Sequence, residues 1–288
     1  MPPEMEAGMD RRVTRIETAA TPQRGSATHA NRFVVPAERF ETHSPFLMMM
    51  EDWFAPPAGF PTHPHRGMET VTLVLEGAME HRDHTGGRGV LNAGDVQWMT
   101  AGRGVMHSEM PGPQGVHSLQ LWLNLPAAQK MSKARYADQR GAEAPVVTGP
   151  GWELRIYAGR QGGAQNPAGS SYPMGLCIAT LQPGAECALE VGPDERGFLY
   201  VLEGSAQVGA DGTPLQAGQI AWIDPAAEAP GDADRLPLRA GAQPLRAALF
   251  SGRPIPEPVV AHGPFVMNTQ DEIRQAFADY HNGTFVEG

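Results

Sequence analysis

The chain reads as an all-β protein made of two copies of one β unit, with a short C-terminal helix. Three observations predict this. Gly 34 and Pro 27 among 288 residues are spread along the chain and cut its apolar sequence into short runs, the punctuation of strands joined by turns. Two distant stretches share one residue pattern. Helical periodicity is confined to one segment near the C-terminus.

Residues 1–30 are polar and turn-rich, with one possible strand in "RVTRIET". From Arg32 onward apolar runs arrive at short intervals: "RFVVP", "PFLMMMEDWF", "ETVTLVLEG", "GDVQWMT" and "SLQLWLNLP". Gly, Pro, Asn or Asp separates each from the next. "PAAQKMSKARYADQRGAEAP" is polar and weakly patterned, and reads as the connection between halves. The second half then repeats the first, "TVTLVLEGAMEH…GVLNAGDVQWMT" being matched by "GFLYVLEGSAQV…TPLQAGQIAWID". Both carry V-L-E-G, a short insert and A-G-x-x-x-W. The expected organisation is an N-terminal segment (1–30), a first β domain (31–145), a second (146–260) and a tail (261–288). In the tail, Thr269 and Glu272 form a capping-box pattern, Ile273, Phe277 and Tyr280 make one apolar stripe, and Asn282-Gly283 is a stop signal. This helix is expected to dock its stripe on the β core.

Composition narrows the function classes. Hydrophobic residues make up 41% and the formal net charge is −10. An acidic chain repels phosphate backbones, and Arg11-Arg12 with Arg15 is a short basic cluster, so direct nucleic-acid binding is not expected. No run of about 18 apolar residues is present to span a membrane. "MPPEMEAGMDRR" lacks the apolar core of a signal peptide. Cys177 and Cys187, with no CxxC, read as small buried apolar residues in a reducing compartment, which places the protein in the cytoplasm. A monomer is expected.

The chemistry concentrates in two pairs. "HPHRGMETVTLVLEG" sets His63 and His65 one residue apart at the head of a β-like run, and "MTAGRGVMHSEMP" does the same with His107 and Glu109. A strand sends residues i and i+2 to one face, so each pair can aim two ligands at one point. Three imidazoles and one carboxylate suit Fe(II), Mn, Ni, Cu or Zn. Glu69 competes with Glu109, because in a regular strand it has the parity of His63. Residue physics alone leaves that choice open. His81 and His84 fall where a hairpin is expected to turn and read as solvated. His117 reads as a core residue or a neighbour of the site, and His29, His43, His262 and His281 as surface residues. Counting back from Gly204, as His63 and His65 precede Gly77, reaches Glu190 and Gly192. No histidine lies between 118 and 261, so the second copy is expected to bind no metal.

"HPHRGMETVTLVLEGAMEHRDH", "GDVQWMTAGRGVMHSEMP", "LQLWLNLP" and "GPFVMNTQDEIRQAFADYHNGTF" resemble the pirin family of double cupins. The likeness covers residues 32–127, the repeat geometry of the second half and the C-terminal segment. It implies two cupin domains in tandem, each a β-barrel or jelly roll, with a metal, usually iron, in the first only. By motif position the ligands are His63, His65, His107 and Glu109. Glu69 then does not touch the metal, although H-x-H-x3-E is the spacing in which other cupins use that glutamate. The resemblance further implies quercetin 2,3-dioxygenase-type chemistry on a flavonol or related enol or catechol with dioxygen. Glu109 would also accept a proton there. The same family implies an alternative, an iron-dependent redox-sensing regulator acting through a protein partner.

Overall fold

The computed structural model describes residues 10–167, 169–225 and 234–286. Its chain divides into two compact units. The first contains Ala20–Glu143, Ala168–Tyr172 and Pro254–Gly288, and the second Met1–Ala19, Ala144–Pro167 and Pro173–Arg253. The division is therefore not linear. "RVTRIET" does form a strand, β1 (Arg15–Thr18), but it belongs to the second unit, pairing there with Gln219–Ile223.

The first unit is built from β2 (Gln23–Ser26), β3 (His29–Val35), helix α1 (Phe40–His43), β4 (Phe46–Phe54), β5 (Phe60–His65) and β6 (Met68–Asp83). It continues with β7 (Arg88–Asn92), β8 (Val96–Thr100), β9 (Val105–Asn124), α2 (Ala127–Lys130) and β10 (Arg135–Gln139). They form a nine-stranded antiparallel sheet of order β10-β8-β6-β9-β4-β3-β2, with β5 on β9 and β7 on β6. Two strands outrun their apolar motifs. β6 continues past Gly77 to Asp83, and β9 runs for 20 residues, so their far ends pair with each other as well as their centres. The polar stretch after Pro126 is more than a connection, since β10 pairs along β8 from Arg135↔Thr100 to Gln139↔Val96.

The second unit continues with β11 (Val146–Gly149), β12 (Trp152–Gln161), β13 (Ala164–Asn166), β14 (Met174–Leu181), β15 (Glu186–Glu190), β16 (Arg196–Glu203) and β17 (Ser205–Val208). β18 (Thr213–Gln216), β19 (Gln219–Ile223), β20 (Arg235–Ala240) and β21 (Leu245–Gly252) complete it. One sheet runs β1-β19-β16-β21-β14-β12-β11 with β13 on β12, and the other runs β15-β20-β17-β18. Their facing side chains make an aliphatic core that includes Leu189, Val208, Leu236 and Leu238. Cys177 is buried in it and Cys187 packs against it, both as free thiols. Arg11 closes one end of this unit, its guanidinium buried and donating to the carbonyls of Val191 (2.9 Å), Gly192 (2.5 Å) and Asp224 (2.8 Å).

The tail returns to the first unit as β22 (Val260–His262), β23 (Phe265–Met267) and α3 (Gln270–His281). The capping box is present. Thr269 Oγ1 accepts from the Glu272 amide at 3.2 Å, and Glu272 Oε2 accepts from the Thr269 amide at 2.9 Å. Ile273 is buried and Phe277 packs edge-on to Phe265, but Tyr280 is 40% exposed, so the stripe docks through its first two members and Ala276. No described helix is long and apolar enough to cross a membrane.

Candidate metal centre

The site is positioned by a clasp between the two motif blocks. β5 ends at His65 and β6 begins at Met68, and Gly67 between them has φ +79°. A Cβ at Gly67 would come within 2.0 Å of the Val266 carbonyl, so no other residue fits this turn. The Gly67 amide donates to the Gly102 carbonyl at 2.7 Å, and the Arg66 guanidinium donates to the Arg103 carbonyl. Arg66 also pairs with Asp279 of α3 at 2.6 Å and lies over the Phe285 ring. Beneath them the buried Lys130 ammonium donates to the carbonyls of Gly67 (2.8 Å) and Val266 (3.1 Å) and to Asn124 Oδ1 (2.7 Å). H-P-H-R-G and A-G-R-G thus hold each other, and the tail locks the joint.

That turn separates the surroundings of the two glutamates. The left-handed break resets the alternation, so parity counted from His63 does not carry to Glu69. Glu69 is fully buried, its Oε1 accepting from Ser170 Oγ (2.5 Å) and its Oε2 from Thr100 Oγ1 (2.6 Å) and the Ser171 amide (2.9 Å). Three donors occupy its oxygens. It anchors the segment 169–172 and joins neither candidate metal group.

Strand register assembles the others. Along β9, His107 lies opposite His63 of β5, and Glu109 lies opposite His81 of β6. Among the described residues two groups bring ligand atoms within 4.8 Å of one another: His63, His65 and His107, and His81, His107 and Glu109. His107 is common to both. The four residues singled out from the sequence thus fall in two adjoining groups, Glu109 lying with His107 and His81 rather than with His63 and His65.

His81 corrects the sequence reading. It is 1% exposed, not solvated. The hairpin turns later, at His84–Gly86, where His84 is exposed. The signal was present, since Met79 and His81 alternate as buried residues with Glu80 and Arg82. His43, expected at the surface, is also buried, and His29 is half-buried, stacked on Phe54 at 4.2 Å. His117 stands apart from both groups. It bonds Glu51 at 2.8 Å, stacks on Trp53 and, with His29, lines an open groove of about 490 Å³. His262 and His281 are exposed.

Gln120 was also missed, a polar residue inside the apolar run "SLQLWLNLP". Its Nε2 donates to both Glu109 oxygens, at 3.0 and 2.8 Å, while the Trp122 indole N–H donates to its Oε1 at 3.3 Å. The indole thereby fixes which way the amide faces, and the amide fixes the carboxylate. Thr72 Oγ1 adds a bond to Glu109 at 3.3 Å.

Burial favours the neutral form of His65, His81 and His107. Burial, and then the neighbouring His63, push His65 down to about 3. His107 is held well below its usual value by burial and by His65, His63 and His81, and burial lowers His81. The Nε2 atoms of His65, His81 and His107 are buried without a hydrogen-bond partner. Each orphaned nitrogen costs on the order of 1–3 kcal/mol, and a cation held between His65 and His107 would satisfy two of them. Neutral imidazoles beside a carboxylate are the donor set that a divalent transition metal takes. The residues fit the group.

A family model described as Pirin matches residues 15–123, and one described as the Pirin C-terminal cupin domain matches residues 177–286. The chain belongs to the pirin family. Both of its units are cupin domains. It is 42% identical over 243 residues to Pirin-like protein 2 of Arabidopsis thaliana, covering 83% of this chain and 74% of that one. It is 35% identical over 280 residues to Homo sapiens Pirin, covering 96% and 94%. A solved structure of a quercetin 2,3-dioxygenase from Acinetobacter baumannii superposes with a TM-score of 0.86 at 29% identity, covering 96% of this pirin-family chain and 98% of that one.

Proposed function

We propose that the first cupin holds one divalent metal on His63, His65, His107 and Glu109, with iron(II) preferred over manganese, nickel, copper or zinc. We further propose that it carries out quercetin 2,3-dioxygenase-type oxygenation of a flavonol or a related enol or catechol. The observation that supports this reading is the cluster of His63, His65 and His107, with buried partnerless nitrogens on His65 and His107 and with Glu109 beside His107. The likeness to the quercetin 2,3-dioxygenase of Acinetobacter baumannii points to the same substrate class.

When bound, a divalent ion supplies Lewis acidity and lowers the pKa of a hydroxyl brought to it. The chain does the rest. Three neutral histidines and one carboxylate leave the site with net charge of about +1, which favours an anionic oxygen. Glu109 can take the hydroxyl proton on the carboxylate oxygen not used as a ligand, beside the Gln120 amide that donates to it. Gln120 and Thr72 hold that carboxylate in one orientation, and Trp122, edge-on to His65 at 5.1 Å, gives the interior an apolar wall. The two free thiols favour a reducing compartment, the cytoplasm.

The test is anaerobic loading with iron(II), metal analysis, then quercetin and oxygen consumption on the same sample. Quercetin-dependent oxygen uptake is expected, and it should fall with metal content. One firmly held metal with no uptake of oxygen would overturn the enzymatic reading and leave a metal-dependent regulator that acts through a protein partner.

A further inference from the structure

His81 has a geometric relation to His107 that the ligand set does not use. Its Nδ1 lies 3.5 Å from Nδ1 of His107, with ring centroids 5.2 Å apart. Its own ring is steadied by Tyr136 of β10, 5.4 Å away. A neutral imidazole carries one N–H and one lone pair. Where two Nδ1 atoms face each other, one must therefore donate and the other accept. His107 can offer Nε2 to a metal only if its proton sits on Nδ1, and Nε2 is the nitrogen left buried without a partner. An acceptor opposite Nδ1 is what this tautomer requires.

We propose that His81 is a positioning residue of the metal centre: its Nδ1 accepts the Nδ1–H of His107, which fixes the tautomer and ring angle in which His107 presents Nε2. This rests on the reading of His107 as a ligand. Ligating histidines commonly give their other N–H to such an acceptor, but here the acceptor is another imidazole, supplied by the strand across from Glu109.

The second unit supports the assignment independently. Four residues past Gly77 stands His81, and four past Gly204 stands Val208. His81 pairs with Glu109, and Val208 pairs with Leu238. Two residues before each partner stand His107 and Leu236. Where the strand carries no imidazole to orient, the facing position carries no acceptor, and all three of these aliphatic residues are buried.

The experiment measures Co(II) affinity and d–d absorption, and counts imidazoles on Cu(II) by pulsed EPR. It uses the full chain and its His81→Phe, His81→Gln and His107→Ala variants. Phe keeps the ring volume and the contact with Tyr136 but cannot accept, whereas Gln can accept through Oε1. His81→Phe is expected to bind Co(II) roughly 10–100-fold more weakly, with the number of coordinated imidazoles unchanged, and His81→Gln to recover most of the loss and the parental spectrum. Parental affinity in His81→Phe, no recovery in His81→Gln, or one imidazole fewer on Cu(II) in His81→Phe would each overturn the proposal. The last would make His81 itself a ligand. If His107→Ala bound Co(II) like the parent, the ligand reading would fail instead, a result that His81 variants cannot imitate.

Discussion

The two cupins use one strand pattern to build opposite interiors. In the first, β9 carries His107 and Glu109 between His63 on one side and His81 on the other. In the second, β20 carries Leu236 and Leu238 in those places, with Leu189 opposite Leu236 and Val208 opposite Leu238. The sheet thus gives Leu189 as the counterpart of His63, one residue from the Glu190 reached by counting back from Gly204. Four polar positions have become aliphatic, and the centre that could hold a metal has become ordinary core. The difference teaches that the β framework stands with or without the site. The orphaned imidazoles of the first unit therefore weigh against apo stability, and only a ligand offsets them.

The sharpest contrast comes from truncating the same register position in each unit. His107→Ala removes the nitrogen common to both groups. Metal affinity is expected to fall by more than the roughly 10–100-fold seen when a supporting residue is lost, while apo stability changes little or rises. Leu236→Ala should do the reverse, costing about 2–5 kcal/mol in denaturant unfolding with metal content unchanged. Equal responses in the two variants would erase the distinction between the units.

Lys130 sharpens the account of the clasp. Burial lowers its pKa to about 8 from an ordinary 10.5. The unfolded chain therefore binds the proton more tightly than the folded one, and stability should rise with pH between about 8 and 10.5. The whole gain is at most about 3.5 kcal/mol, at about 1.4 kcal/mol per unit. Lys130→Met should lack this rise in urea titrations across that window, and a rise that survives in the variant would sink the attribution. The smallest effect on metal is expected from Glu69→Gln. That change turns one acceptor oxygen into a donor facing Ser170, Thr100 or the Ser171 amide, and should cost about 1–3 kcal/mol with metal affinity kept within about tenfold. Metal lost from Glu69→Gln but kept in Glu109→Gln would exchange the roles of the two carboxylates.

Much of this was legible in the chain. The apolar runs, the V-L-E-G and A-G-x-x-x-W repeats and the Thr269–Glu272 cap are local signals, and local sterics honour them. The pairing of His63 with His65 and of His107 with Glu109 was legible because strand alternation holds within each short pair. What was lost depends on distant events. The parity of Glu69 is reset by one glycine whose conformation is imposed by Val266. His81 is buried because β6 continues to Asp83 and meets the far end of β9, a pairing that no window around "EHRDHTGG" contains. β1 adds to a strand some 200 residues away, and the Ser170 segment reaches Glu69 from beyond the connection between halves.

The central claim is one metal centre in a chain with two cupins. Elemental analysis of the protein, loaded anaerobically with iron(II) and freed of excess metal, tests it most directly. One iron per chain, absent from His107→Ala and retained in Leu236→Ala, is the predicted result. Two tightly held metals per chain, or one that persists in His107→Ala, would contradict it.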